Sequence, residues 1–198
     1  MRKELNYRTS EFKTRDDSDT LTIEGYFAVF NSNYQITEDM SESIAPGAFD
    51  RSISGDIRAL VNHDTSLVLG RTSANTLELR QDSHGLWGKV TVNPNDTDAM
   101  NLYERVKRGD VSGCSIGFEI RKEDTEISED GRVHWTIQDV DLHEVSCCTF
   151  PAYESTNISA RQHDRDEIIR RENEAWREKM RRRLAHGTQT DASAKEDQ

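Results

Sequence analysis

Three side chains in this sequence have the types that an acyl-transfer site needs. Ser115 lies in GDVSGCSIGFEI (109–120), between small residues and ahead of a strand-forming run. His63 lies in ALVNHD (59–64), at the end of an apolar strand, and Glu144 lies in DLHEVSCC (141–148). A hydroxyl becomes a nucleophile when a base takes its proton, and an acid that orients the base completes the set. The combination predicts serine-protease chemistry, with Ser115 as nucleophile, His63 as base and Glu144 as orienter.

Each member has rivals and a plainer reading. Gly113-Cys114-Ser115-Ile116-Gly117 matches G-x-S-x-G, the nucleophile elbow of α/β-hydrolases. That motif needs a strand–turn–helix context and the chain order serine, acid, histidine. Here a strand-like FEIRKEDTEI follows the serine and the histidine precedes it, so the serine is kept and the hydrolase fold rejected. Ser112 competes with Ser115 but sits near a helix exit, where it could simply satisfy backbone groups. Cys114 has the opposite strand parity from Ser115 and is expected to pack as a small apolar residue. His143 is the alternative to Glu144, giving a Ser-His-His set, although it points to the other face of a regular strand. A carboxylate is the better orienter because it stabilises the imidazolium that forms. The plainer readings are a satisfied histidine at a strand end and an edge-strand acid facing water. With no C-x-x-C or H-E-x-x-H pattern, no metal or other cofactor is expected.

The elements that must position these groups read mainly as strands. Leu21 to Phe30 form the first, with Gly25 expected as a bulge. Pro46-Gly47 mark a turn, and Ala48–Ile53 could form a short helix. Ile57–Val61 is a strand in which Ile57, Ala59, Val61 and His63 share one parity, which puts His63 on the buried face. Leu67–Arg71 is another strand, and residues 76–92 form a hairpin turning at Asp82–Gly85. Asp96 caps a helix that buries Ala99, Leu102, Tyr103 and Val106 and stops at Gly109. Two long strands follow, Ser115–Arg121 and Val133–Cys148, with the turn signal Asp130-Gly131 between them. In the second, Val140, Leu142, Glu144 and Ser146 share a face on regular alternation. An acid among apolar neighbours is costly unless paired, which argues for a partner such as His63.

Composition sets the outer limits. The 198 residues suit one main domain plus a tail, and that domain can bury a core without disulfides. A net charge of -11 disfavours nucleic acid, since phosphate binding needs an excess of Lys and Arg. Three cysteines, two of them adjacent, imply no disulfide framework and a reducing compartment. No apolar run approaches a membrane span. We divide the chain into a polar segment 1–19, a main domain 20–160, and a charged helix with a disordered tail, 161–198. That helix carries mixed charge around a thin stripe of Ile169, Trp176 and Met180, and reads as solvated or partner-binding.

An ordered set of segments resembles the prohead maturation proteases of tailed bacteriophages: EGYFAVFNS (24–32), SIAPGAFDRSI (43–53), ALVNHD (59–64), LGRT (69–72), HGLWGKVTV (84–92), RGDVSGCSIGF (108–118) and DLHEVSCCTFPAY (141–153). The resemblance implies a fold related to the herpesvirus capsid protease, an antiparallel β-barrel with surrounding helices (α+β). It implies a serine endopeptidase inside the procapsid, in the host bacterial cytoplasm, with His63, Ser115 and Glu144 in the family's catalytic positions. Herpesvirus enzymes use a second histidine in third place, so His143 stays open there. The implied partners are scaffold protein, the scaffold-like N-terminal part of the major capsid protein, and the enzyme itself through self-cleavage; a homo-oligomer is also open. Gly70-Arg71 is a candidate oxyanion loop. The competing functions are a capsid-assembly module with a dead protease fold, and an intracellular serine esterase.

Overall fold

The computed structural model describes residues 12–17, 20–150 and 155–193; in the last segment side chains are described at 161 and 164–183. The chain divides into two compact units, Met1–Tyr153 and Glu154–Gln198. Among the described residues the first unit holds ten strands, an α-helix and one 3-10 turn (Thr72–Ala74): β1 Lys13–Asp17, β2 Thr20–Val29, β3 Tyr34–Thr37, β4 Met40–Ile44, β5 Arg58–Val61, β6 Asp64–Arg71, β7 Leu77–Gln81, β8 Gly85–Thr91, α1 Thr97–Arg108, β9 Gly113–Ile127 and β10 Val133–Cys148. The second is one helix, α2 Ser155–Ser193. The fold is mainly β with two helices.

The strands form two sheets rather than the closed barrel expected above. One has the order β1-β2-β8-β7; the other has the order β3-β4-β10-β5-β6, with β9 on the remaining edge of β10. Most pairings are antiparallel, but β10 runs parallel to β4 through Val133–Ile137 and parallel to β5 through Glu144–Cys147. β10 is therefore the central strand. β9 lines one of its edges from end to end, while β4 and then β5 share the other.

The core joins the two sheets and α1. Ile23, Phe27, Leu86 and Val90 of the first sheet belong to one buried cluster with Ala59, Ile137, Val145 and Cys147 of the second and Leu102 and Tyr103 of α1. Burying aromatic and branched side chains of this size contributes about 1.5–3 kcal/mol each. α1 forms where its caps require: Asp96 accepts from the N–H groups of Asp98 and Ala99, and its Ala99, Leu102, Tyr103 and Val106 are buried. Gly109, at φ 87°, closes it by donating to the Arg105 and Val106 carbonyls, a conformation that costs other residues more. The chain then enters β9 at Gly113.

Several local expectations are corrected. Ala48–Ile53 is a run of turns, not a helix. The β2 irregularity falls between Tyr26 and Ala28, whereas Gly25 pairs regularly with Gly88. The β3–β4 hairpin was not expected, because YQIT and MSESI are too polar to read as strands. The polar N-terminal segment, read from sequence as frayed or an edge, supplies an edge strand on β2 at Lys13–Asp17, in agreement with the second of those readings. The C-terminal helix runs to Ser193, through residues expected to be a disordered tail; 194–198 lie outside the described residues.

Candidate active site

His63 is not at a strand end but in the turn after it. β5 stops at Val61, which pairs with Asp64, so Asn62 and His63 form a two-residue hairpin loop. Both have positive φ, 50° and 62°, as a type I′ turn demands. A left-handed conformation costs a residue with a side chain about 1–2 kcal/mol, least for residues such as Asn. The turn is pinned to β10: the Asn62 N–H donates to the Cys147 carbonyl (3.0 Å), and Asn62 Oδ1 accepts from the Thr149 N–H (2.9 Å). Strain of this kind persists where surrounding contacts over-determine it, and it gathers at functional sites.

Glu144 reaches the site through a break in strand regularity. The β9–β10 register shifts between Leu142 and Glu144, leaving the intervening His143 exposed. Beyond this bulge the parity reverses. Leu142 is in the core, and so are Val145 and Cys147, while Glu144 and Ser146 take the other face. The expectation that Leu142 and Glu144 share a face therefore fails. Across from Glu144 the register places Gly117. A Cβ at Gly117 would overlap Glu144 Oε1, so the glycine leaves the carboxylate its space.

The pieces meet on one face of β10. His63 Nδ1 lies 2.6 Å from Glu144 Oε1, and the side chains are 31% and 13% exposed. The other carboxylate oxygen, Oε2, accepts from the Ser146 hydroxyl at 2.6 Å. The Ser146 oxygen accepts in turn from the His63 backbone N–H at 3.2 Å. Ser115, partly exposed, sits on β9 directly opposite Ser146. The structure thus gathers His63 and Glu144 into contact and puts Ser115 on the neighbouring strand, same face. Among the described residues the Ser115 hydroxyl makes no hydrogen bond to the imidazole, an arrangement common before substrate binds.

The electrostatics favour a protonated His63. The Cys148 side chain and then the Glu144 carboxylate lift it from its ordinary 6.5 to about 10, against the opposing effect of burial. A negative group beside an imidazole stabilises the imidazolium, which is the form that must appear in a base-catalysed attack.

The rivals are placed elsewhere. His143 Nε2 faces Glu119 Oε1 at 3.4 Å and is exposed. Ser112 is exposed and precedes β9. Cys114 is buried in the core with its Sγ 3.0 Å from the Tyr26 carbonyl, as its parity predicts. The Arg71 backbone N–H already donates to Thr76 Oγ1 (2.9 Å), and its guanidinium pairs with Asp56, which removes Arg71 as an oxyanion donor. Sequence reasoning missed Asn62, Gly117, Ser146 and Cys148. Signals for two of them were present: Asn-His between two apolar strand ends reads as a tight turn, and Ser146 follows Glu144 at strand period.

Known proteins supply the family. Residues 6–170 match the family model described as Caudovirus prohead serine protease. The chain belongs to that family. The prohead protease of Enterobacteria phage HK97 is 34% identical over 162 residues, 80% of this chain and 68% of that protein. Membership makes this chain a protease of capsid maturation. No solved structure matches it. Among the described residues, no helix is long and apolar enough to cross a membrane.

Proposed function

We propose that the chain is a serine endopeptidase in which Ser115 is the nucleophile, His63 the general base and Glu144 the group that orients it. One observation carries this reading: the 2.6 Å contact between His63 Nδ1 and Glu144 Oε1, on the strand that the Ser115 strand borders. Glu144 accepts from Nδ1–H and so leaves Nε2 to receive a proton. Nε2 takes the proton of Ser115 Oγ as that oxygen bonds to the scissile carbonyl carbon. The tetrahedral adduct collapses, the C–N bond breaks, and Nε2–H gives its proton to the leaving amine. Water, deprotonated by the same nitrogen, then releases the acyl group and restores Ser115.

The substrates are the scaffold protein, the scaffold-like N-terminal part of the major capsid protein, or both, cleaved inside the procapsid in the host cytoplasm. The enzyme also cuts itself. The test is co-expression with the major capsid protein of the same genome, wild type beside Ser115→Ala, with intact masses of both proteins. Loss of an N-terminal piece of the capsid protein with the wild type alone is expected. Equal processing by Ser115→Ala overturns the assignment. No mass change in either protein favours a binding module or a separate scaffold substrate, which adding the scaffold protein separates.

A further inference from the structure

Ser146 is a second serine at the site, and its surroundings define a different task from that of Ser115. It is fully buried, at 0% exposure. Its hydroxyl has one proton, and that proton is committed to Glu144 Oε2 at 2.6 Å. Its lone pair is used by the His63 N–H at 3.2 Å. A hydroxyl committed in this way, and closed off from solvent, is not a nucleophile.

The bonds form a closed circuit. His63 Nδ1–H donates to Glu144 Oε1, Ser146 O–H donates to Glu144 Oε2, and the backbone N–H of the same His63 donates to Ser146 Oγ. Each carboxylate oxygen therefore has its own donor, which fixes rotation about the last torsion of Glu144. The backbone and the ring of His63 are both referred to the same two residues of β10. We propose that Ser146 is a positioning residue for catalysis, whose hydroxyl locks the Glu144 carboxylate against the His63 ring. This inference rests on the assignment of His63, Ser115 and Glu144 above.

Two isosteric variants isolate the hydroxyl. Ser146→Thr keeps it and Ser146→Val replaces it with a methyl group of the same shape; both are β-branched and suit a strand. The substrate is a peptide spanning the cleavage site found by mass. We expect Ser146→Thr to retain most of the activity. We expect Ser146→Val to lose about 10- to 100-fold in kcat, the scale of a small misplacement of a catalytic group, with KM unchanged. The downfield proton resonance of His63 Nδ1–H, sharp in Ser146→Thr, is expected to broaden or move in Ser146→Val. Equal kcat and equal resonance in the two variants overturn the proposal. Ser115→Ala and His63→Ala run alongside as controls: if both are inactive while Thr equals Val, only the role of Ser146 fails. Normal cleavage by Ser115→Ala would instead remove the underlying assignment.

Discussion

Glu144→Gln separates two effects of the carboxylate that act in opposite directions. Gln keeps the shape and removes the charge. In the wild type His63 sits near 10, so at pH 7 only about one molecule in 10³ holds the neutral base. Without the carboxylate, His63 falls, though the Cys148 side chain, the larger of its two raising influences, stays in place. The variant's base is then neutral more often at pH 7, which raises its rate. The same change removes the charge that stabilises the imidazolium in the transition state. For the serine-protease template, an Asp-to-Asn change at this position lowers kcat by about 10⁴-fold, which corresponds to about 5.5 kcal/mol. The expected result is a deficit of about 10³- to 10⁴-fold in kcat/KM in alkali that narrows towards pH 7, with the midpoint of the rising limb moved down. The assay is peptide cleavage from about pH 6 to about pH 10, because the limb of kcat/KM reports the free enzyme's base. A wild-type profile that levels off near neutrality, or one midpoint shared by both proteins, refutes the coupling. Stability follows the same linkage. Because the folded-state value of His63 is raised, its contribution is full below 6.5 and is lost as pH rises through about 10. The difference in Tm between wild type and variant should therefore be larger in mild acid than in alkali.

Two further perturbations probe how the site is held. Gly117→Ala puts a methyl group into Glu144 Oε1, so the carboxylate must leave the ring; activity should fall about 10²-fold while circular dichroism stays that of the wild type, and normal activity would mean that β9 yields there. Asn62→Ala removes the acceptor for the Thr149 N–H and a residue tolerant of positive φ, and should cost about 1–2 kcal/mol in urea unfolding. Asn62→Gly keeps the conformational freedom but not the acceptor, so it should cost less than Asn62→Ala; the reverse order would show that turn strain is not the cause.

What could be read from the sequence, and what could not, divides along one physical line. Signals confined to neighbouring residues were legible. Asp96 and Gly109 bound α1 as their capping chemistry requires, and Asp82–Gly85 and Asp130-Gly131 turn the hairpins where expected. Features that depend on pairing between distant strands were not. Polar β3 and β4 exist because β4 pairs with β10, about ninety residues away, and no property of MSESI announces that partner. Closure of the sheets is likewise a property of every edge together, and the edges here stay open. The site shows the same division at closer range. The types and order of His63, Ser115 and Glu144 are visible in one dimension, and so is the cost of an unpaired acid at Glu144. Strict alternation, however, places Glu144 beside Leu142, on the core face. The bulge at His143, which follows an earlier irregularity at Ile137–Val140, turns Glu144 away from the face of Val140 and Leu142 and His143 into solvent. The choice between Glu144 and His143 as the partner of His63 therefore rests on breaks in the β9–β10 register. Deleting His143 removes the extra residue, pairs Leu142 with Phe118 and Glu144 with Gly117 without a break, and keeps Glu144 on the site face, so peptide cleavage should largely survive; its loss would show that the bulge itself aims the carboxylate.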